Sequence, residues 1–172
     1  MNLNKVGSWH IGVAAEALAA AQFARFGYYV SVQYGANQPE YDLMAEADDK
    51  ILKISVKGSK DGAWGLTQKY KQGRTYHEAI NVWLKNHHKK TIFCLVQFEN
   101  VDETQMPRIY LATPQEIAKV MSEQRKGRGD TILYENHKWG TQAYAAGTVD
   151  QIPAEWAFTR ERVDYMFNTY GV

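Results

Sequence analysis

The chain has 172 residues, of which 45% are hydrophobic and 23% are charged, a balance typical of a globular protein with a core of its own. No apolar run reaches the roughly 18 residues of a membrane-spanning helix, and the first residues lack the apolar core of a secretory signal. The one cysteine excludes an internal disulfide, which favours a cytoplasmic protein. The length favours a single domain, residues 1–172, and we expect no membrane partner.

The net charge of +1 conceals a basic segment in the middle of the chain. Residues 50–90 contain ten Lys and Arg against two acidic residues, so this segment carries +8 and the rest of the chain carries −7. Tryptophans and tyrosines are interleaved with these cations. Such a stretch is typical of a surface that binds a polyanion, although a merely solvated face has the same composition.

The first predicted element is a helix from about Ser8 to Phe26. Ser8 is a suitable N-cap, alanines of high helix propensity fill the middle, and Gly27 is a typical stop signal. Apolar residues occupy nearly the whole circumference, which indicates a mostly buried helix. Glu16 stands among them, and a buried carboxylate costs free energy unless it is paired, hydrogen-bonded or bound to a metal. A solvated glutamate at an exposed edge is the alternative.

A strand over residues 28–33 and a loop over residues 35–39 lead to a predicted β-hairpin over residues 41–58. We place its turn near Asp49 and Lys50. Because side chains alternate between the two faces of a strand, the apolar residues of the hairpin share a core face. These residues are Leu43, Ala45, Leu52, Ile54 and Val56.

The opposite face of the hairpin carries Asp42, Ser55 and Lys57, with Asp42 expected roughly opposite Lys57. A carboxylate there can hold a hard divalent cation such as Mg²⁺. A nearby lysine can orient the attacking water or stabilise charge that develops on a phosphate. The alternative is an ordinary cross-strand ion pair on the surface, which contributes a few tenths of a kcal/mol.

Downstream of the hairpin, residues 58–65 are rich in glycine and predict a mobile loop, in which Trp64 either stacks on a base or anchors the loop to the core. Residues 136–154 show no regular pattern. We assign His87 and His88, near the end of the second predicted helix, to the basic face. The remaining pattern predicts helices over residues 75–88, 113–124 and 159–170, and strands over residues 91–98, 108–112 and 131–134.

The order of these elements resembles that of the PD-(D/E)xK nuclease superfamily, which has the restriction-endonuclease-like fold. The resemblance covers about residues 8–98 and rests on Glu16 in the first helix, Tyr41-Asp42-Leu43, and Ser55-Val56-Lys57. The segments Gly12–Glu16 and Phe26–Val30 look similar to the opening of Holliday-junction-resolvase-like bacterial members. The resemblance implies an α/β fold with a central mixed β-sheet flanked by helices, to which residues 99–172 would add strands and helices.

The same resemblance implies a metal-dependent endonuclease that hydrolyses phosphodiester bonds of DNA with Mg²⁺ or Mn²⁺. Asp42 and Glu16 would be the metal ligands, Lys57 would position the attacking water, and Ser55 would complete the catalytic set. A homodimer is a guess from the need to cut two strands. The residues expected to contact nucleic acid are Lys60, Trp64, Lys69, Lys71 and Arg74.

One position departs from the family pattern, because Ser55 stands where members usually carry Glu or Asp. A serine hydroxyl is short and neutral and cannot replace the charge of a carboxylate. Glu46 on the same strand face lies, by strand spacing, about 13 Å from Asp42, too far to share one ion. Two alternatives therefore stay open: a catalytically inactive member of the fold that binds nucleic acid or protein, and an unrelated α/β interaction protein.

Overall fold

The computed structural model describes residues 6–33 and 40–172, so the loop predicted over residues 35–39 lies outside the described residues. The helices are α1 (Ser8–Arg25), α2 (Tyr76–Lys85), α3 (Pro114–Gly127) and α4 (Arg160–Tyr170). The strands are β1 (Tyr29–Val32), β2 (Leu43–Ala47), β3 (Lys50–Ser59), β4 (Ala63–Gly65), β5 (Thr91–Gln97), β6 (Arg108–Ala112), β7 (Ile132–Tyr134), β8 (Asn136–Lys138) and β9 (Val149–Gln151).

Five of the strands form one mixed sheet in the order β1-β2-β3-β5-β6. β3 and β5 are parallel, with α2 on the connection between them, and the other neighbours in this sheet are antiparallel. The predicted α/β class, a central mixed sheet flanked by helices, is confirmed. The order predicted from α1 to β5 is also observed, with β4 and a short 3-10 turn, Gln68–Tyr70, inserted before α2.

The two faces of this sheet pack against different helices. α1 and α4 cover one face and α2 and α3 cover the other, and each layer has its own cluster of buried apolar side chains. The core face predicted for the hairpin is confirmed, since its five apolar side chains are at most 6% exposed. Cys94 in β5 is fully buried in the first cluster, as expected for a residue that fills the core.

The hairpin turn lies one residue earlier than predicted. Ala47 pairs with Lys50, so Asp48 and Asp49 form the turn, and Asp48 adopts the left-handed conformation (φ 53°) that aspartate tolerates and tight hairpin turns require. The register therefore moves by two residues and brings Asp42 beside Ser55 rather than Lys57. Because the shift is even, every side chain keeps its predicted face.

Three segments differ from their predicted conformation. Residues 58–65 are not a loop throughout, because β3 continues to Ser59 and β4 pairs with β7 in a separate two-stranded sheet. The predicted edge strand over residues 131–134 is thus β7, outside the central sheet. Residues 136–154 contain the hairpin β8–β9. Their strands are only three residues long, too short for a clear alternating pattern.

Gly58 lets α1 approach β3 closely. A Cβ atom on Gly58 would lie 2.8 Å from the Cβ of Ala15 and 2.8 Å from the carbonyl oxygen of Ile11, far inside normal contact distance. Gly58 follows Lys57 directly, and Ala15 precedes Glu16. The missing side chain therefore sets how near α1 brings Glu16 to the part of β3 that carries Lys57.

A buried arginine fastens the C-terminal helix to the rest of the fold. Arg162 in α4 donates through Nε and Nη2 to the carbonyl oxygen of Leu111 in β6, at 3.1 and 2.9 Å, and through Nη2 to both carboxylate oxygens of Glu116 in α3. These bonds satisfy a guanidinium that is only 8% exposed. Among the described residues, none of the helices combines the length and apolar character needed to cross a membrane.

Candidate active site

Asp42 lies where the chain enters the sheet, one residue before β2. Its Oδ2 atom accepts a hydrogen bond from the backbone N–H of Val56 at 2.6 Å and one from the hydroxyl of Ser55 at 3.3 Å. Leu43 and Ile54 are the end pair of the β2–β3 ladder. The Asp42 carboxylate therefore satisfies the N–H of Val56, a donor of β3 that lies beyond this pair. Its position is thereby fixed by the fold.

Glu16 reaches the same place from α1. Its carboxyl group is partly buried, and this burial raises its pKa above the ordinary value; the negative charge of Asp42 raises the pKa further, whereas the positive charge of Lys57 lowers it. Asp42 and Lys57 are therefore both close enough to Glu16 to act on its carboxyl group electrostatically. Three residues predicted from separate parts of the sequence come together at one end of the hairpin.

Ser55 is 3% exposed and donates its hydroxyl to Asp42. It contacts a candidate metal ligand, yet it brings no negative charge of its own. Within residues 6–33 and 40–172, no group of three or more His, Cys, Asp or Glu side chains could hold a metal ion. Asp42 and Glu16 are the two carboxylates that the structure brings to this place.

This pair of carboxylates fits Mg²⁺ or Mn²⁺. Mg²⁺ is commonly bound by one or two carboxylates and keeps several waters or substrate phosphate oxygens as its other ligands. Burial raises the pKa of Glu16 most and the negative charge of Asp42 raises it further, so a divalent cation bound here would favour the ionised carboxylate.

Lys57 stands in the wall between two cavities, which also share Gly65 and Leu66. The first cavity, of about 410 Å³, extends toward α1 and includes Lys60 in its lining. The second, of about 380 Å³, extends toward the end of α2 and includes Ser55 and Lys69. We call them the α1-side cavity and the α2-side cavity. Positive charge thus lies on both sides of Lys57.

The other two cations predicted to contact nucleic acid lie elsewhere. Lys71 and Arg74 line a third cavity, of about 600 Å³, around the start of α2 together with Arg128. Lys71 also places its ammonium over the ring of Tyr76, 4.9 Å from the ring centre. The basic segment of the sequence therefore supplies two separate groups of cations.

Trp64 does not lie where the base-stacking role requires. It is 3% exposed, packs edge-on against Tyr110, and donates its indole N–H to the carbonyl oxygen of Lys57 at 3.0 Å. A buried ring offers no face to a nucleobase, so the core-anchor alternative describes this residue. Its hydrogen bond ties β4 to the backbone of the lysine.

The structure corrects the predicted place of His87 on the basic face. Its half-buried ring lines the α2-side cavity, stacks on Phe93 (5.2 Å between ring centres, 6° between planes) and contacts Trp83. Burial lowers the pKa of His87; the negative charge of Glu40 opposes this, and the positive charges of Lys57 and Lys69 lower the pKa further. Burial and the two lysines therefore favour the neutral imidazole. His88, by contrast, is exposed.

Comparison with known proteins yields one structural similarity. No protein-family model matches the chain, and no curated protein matches it. The structure is similar to that of a bacterial homing endonuclease, I-Ssp6803I, with a TM-score of 0.38 and 18% sequence identity, over 64% of this chain and 68% of that chain. Similarity assigns the chain to no family.

Proposed function

We propose that the chain is a metal-dependent nuclease of the PD-(D/E)xK type, one domain over residues 1–172, that hydrolyses phosphodiester bonds of DNA. The observation that carries this proposal is the convergence of Glu16 in α1, Asp42 immediately before β2 and Lys57 in β3, where the charges of Asp42 and Lys57 both act on the Glu16 carboxyl group. An ordinary surface ion pair between Asp42 and Lys57 would not require a residue of α1 to add a second carboxylate at the same place.

The proposed roles follow from the chemistry of each group. Asp42 and Glu16 hold a Mg²⁺ or Mn²⁺ ion, which when bound supplies Lewis-acid chemistry to the scissile phosphate. Lys57 orients the attacking water and stabilises the negative charge that develops on the phosphate oxygens. Ser55, through its hydrogen bond at 3.3 Å, keeps the Asp42 carboxylate in one orientation.

The cations around the site provide phosphate contacts in this proposal. Lys60 and Lys69 lie on the two sides of Lys57, so they suit successive phosphates of one strand. Lys71 and Arg74 suit a more distant part of the duplex. Such contacts position the nucleic acid without selecting its sequence, and they make affinity depend on salt.

A second candidate function is nucleic-acid binding without cleavage. It is favoured by Ser55, whose buried neutral hydroxyl occupies the position of the usual acidic residue. The two functions differ in the role of the metal. A nuclease loses divalent-cation binding when Asp42 is replaced, whereas a binding module associates with DNA equally well with or without the cation.

The deciding experiment is cleavage of labelled plasmid and branched DNA with Mg²⁺ or Mn²⁺ by the wild type, Asp42→Ala and Lys57→Ala. Lys53→Ala is a matched control, because Lys53 is an exposed lysine on the same strand. We expect metal-dependent cutting by the wild type and Lys53→Ala and none by the other two variants. DNA binding without any cutting by the wild type would favour the second function, and neither binding nor cutting would refute both.

A further inference from the structure

The α2-side cavity contains charged and aromatic side chains to which the proposed function assigns no catalytic role. It is lined by two lysines, Lys57 and Lys69, by His87, and by one acidic residue, Glu40, above an aromatic floor. Its volume of about 380 Å³ is enough for a phosphate group with part of its nucleoside. The candidate metal ligands Glu16 and Asp42 are not among the residues that line it.

His87 packs against two aromatic rings at this cavity. Its ring stacks on Phe93 and contacts Trp83, whose ring centre lies 4.6 Å away. Nδ1 is buried and makes no hydrogen bond. Buried polar atoms without a partner are uncommon in folded proteins, and each calls for an explanation such as a functional role or a missing ligand.

Glu40 is the acidic group nearest to this atom. Its two carboxylate oxygens accept the backbone N–H of His88 at 2.9 and 3.0 Å, which fixes the carboxylate just beyond the end of α2. Its Oε1 lies 3.9 Å from Nδ1 of His87, too far for a hydrogen bond. A small movement of the ring would close this gap if Nδ1 carried a proton and the imidazolium were favoured.

We propose that His87 and Lys69 bind a phosphate group of the nucleic-acid strand in the α2-side cavity, next to Lys57, and that Glu40 orients the imidazole. The inference rests on the proposed function, because the phosphate belongs to the nucleic acid. In the bound state Nε2–H of His87 donates to a phosphate oxygen, and Nδ1–H donates to Glu40.

This arrangement couples phosphate binding to proton uptake. The charged groups that face His87 are Glu40, Lys57 and Lys69, and burial together with the two lysines keeps the pKa of the free imidazole below its ordinary value. A phosphate adds negative charge beside the ring and offsets the two lysines, so the pKa rises and the imidazole gains a proton. Affinity should therefore increase as the pH falls, by up to about tenfold per pH unit for one proton.

The test is the affinity of a labelled oligonucleotide between pH 5.5 and 8 in the presence of EDTA, so that no cleavage occurs. His87→Phe keeps the ring stack and removes both nitrogens, and His88→Gln is the matched control at the exposed neighbour. We expect the wild type and His88→Gln to gain affinity toward low pH, with a shallower dependence in His87→Phe. Equal slopes in all three proteins would overturn the inference.

A second readout does not require His87→Phe to fold or the oligonucleotide to bind. The imidazole resonances of the wild type are followed by NMR over the same pH range with and without inorganic phosphate. We expect phosphate to raise the titration midpoint of His87, and to raise it less in Glu40→Gln. An unchanged midpoint of His87 would refute the site. If DNA does not bind but the midpoint still rises, the proposed function fails and the anion site stands.

Discussion

The carboxylate of Asp42 accepts the backbone N–H of Val56 at 2.6 Å, two residues beyond Ile54, where the pairing of β3 with β2 stops. The side chain of Asp42 thus supplies a hydrogen-bond acceptor to β3 at a point where β2 offers no backbone acceptor. The same carboxylate is the proposed ligand of the catalytic cation. Asp42 therefore has a structural role and a chemical role, and the two can be separated by mutation.

Asp42→Asn keeps an oxygen that can accept the Val56 N–H and removes the charge, whereas Asp42→Ala removes both. We expect Asp42→Ala to lower the free energy of unfolding by about 1–3 kcal/mol, because it leaves a partly buried donor unpaired, and Asp42→Asn to lower it by less. Both variants should lose Mn²⁺ binding. Urea unfolding and calorimetric titration with Mn²⁺ measure the two effects, and Mn²⁺ binding retained by Asp42→Asn would contradict the assigned ligand.

Glu16 should make stability depend on pH. Its pKa in the folded state is raised, first by burial and then by Asp42, so the fold favours the protonated carboxyl group. The resulting stabilisation is present below the unfolded pKa and is lost as the pH rises through the folded pKa. Glu16→Gln should therefore be more stable than the wild type at pH 7 and similar to it below about pH 4.

Urea unfolding at several pH values tests this, with the exposed Glu46→Gln as control. Added Mg²⁺ should narrow the difference at pH 7, because the cation stabilises only the protein that has both carboxylates. A Glu16→Gln variant that is less stable than the wild type at neutral pH would contradict this prediction, because it would mean that the ionised Glu16 carboxylate is stabilised in the folded state.

Ser55→Glu should strengthen metal binding. Ser55 lies beside Asp42 and lines the α2-side cavity, so a longer side chain has space to extend. A third carboxylate should raise the affinity for Mn²⁺ by roughly tenfold or more, because affinity for hard cations follows the charge of the ligands. Ser55→Gln, which has the same length without the charge, should leave the affinity nearly unchanged. Equal affinities in the two variants would mean that position 55 does not face the cation.

Trp64→Phe should affect stability rather than DNA binding. The change removes the indole N–H that donates to the carbonyl oxygen of Lys57 and should cost about 1–2 kcal/mol. Affinity for an oligonucleotide, measured by fluorescence anisotropy, should stay within about twofold, since affinity depends chiefly on phosphate contacts. A marked loss of affinity with unchanged stability would restore the base-stacking role.

Gly58→Ala should force α1 away from β3. The added methyl group would lie 2.8 Å from the Cβ of Ala15 and the carbonyl oxygen of Ile11, and such overpacking costs about 1–3 kcal/mol. Gly12→Ala on the same helix is the control, because a Cβ there meets nothing within 4 Å. It should stabilise the helix by about 0.5–1 kcal/mol. Thermal unfolding compares them, and equal melting temperatures would contradict the close packing.

The sequence predicts the framework of the site well because alternation and helix signals are local. The core face of the hairpin is predicted from the two-residue alternation alone, which is the same for either turn position. The register depends on where the turn lies. Moving the turn to Asp48 and Asp49 places Ser55, rather than the expected Lys57, beside Asp42. That single shift decides which side chain hydrogen-bonds the candidate metal ligand.

Local sequence patterns do not predict which residues tertiary packing brings together. The glycine-rich segment around Trp64 is typical of a loop in which a tryptophan could stack on a base. Pairing of β4 with the distant β7 instead buries the ring. His87 sits among exposed polar residues at a helix end, and only the return of the chain into β5, parallel to β3, sets its ring against Phe93 and beside Lys57.

The hydrogen bond from Val56 to Asp42 also bears on how this chain would change over evolutionary time. If cleavage were no longer selected, Asp42 would still be retained, because its loss would unpair the backbone of β3. The side chains of Glu16 and Lys57 form no hydrogen bond with the described residues, so drift would remove them first. Under the proposed function, a surviving Glu16 and Lys57, rather than a surviving Asp42, would mark the descendants of this protein that cleave DNA.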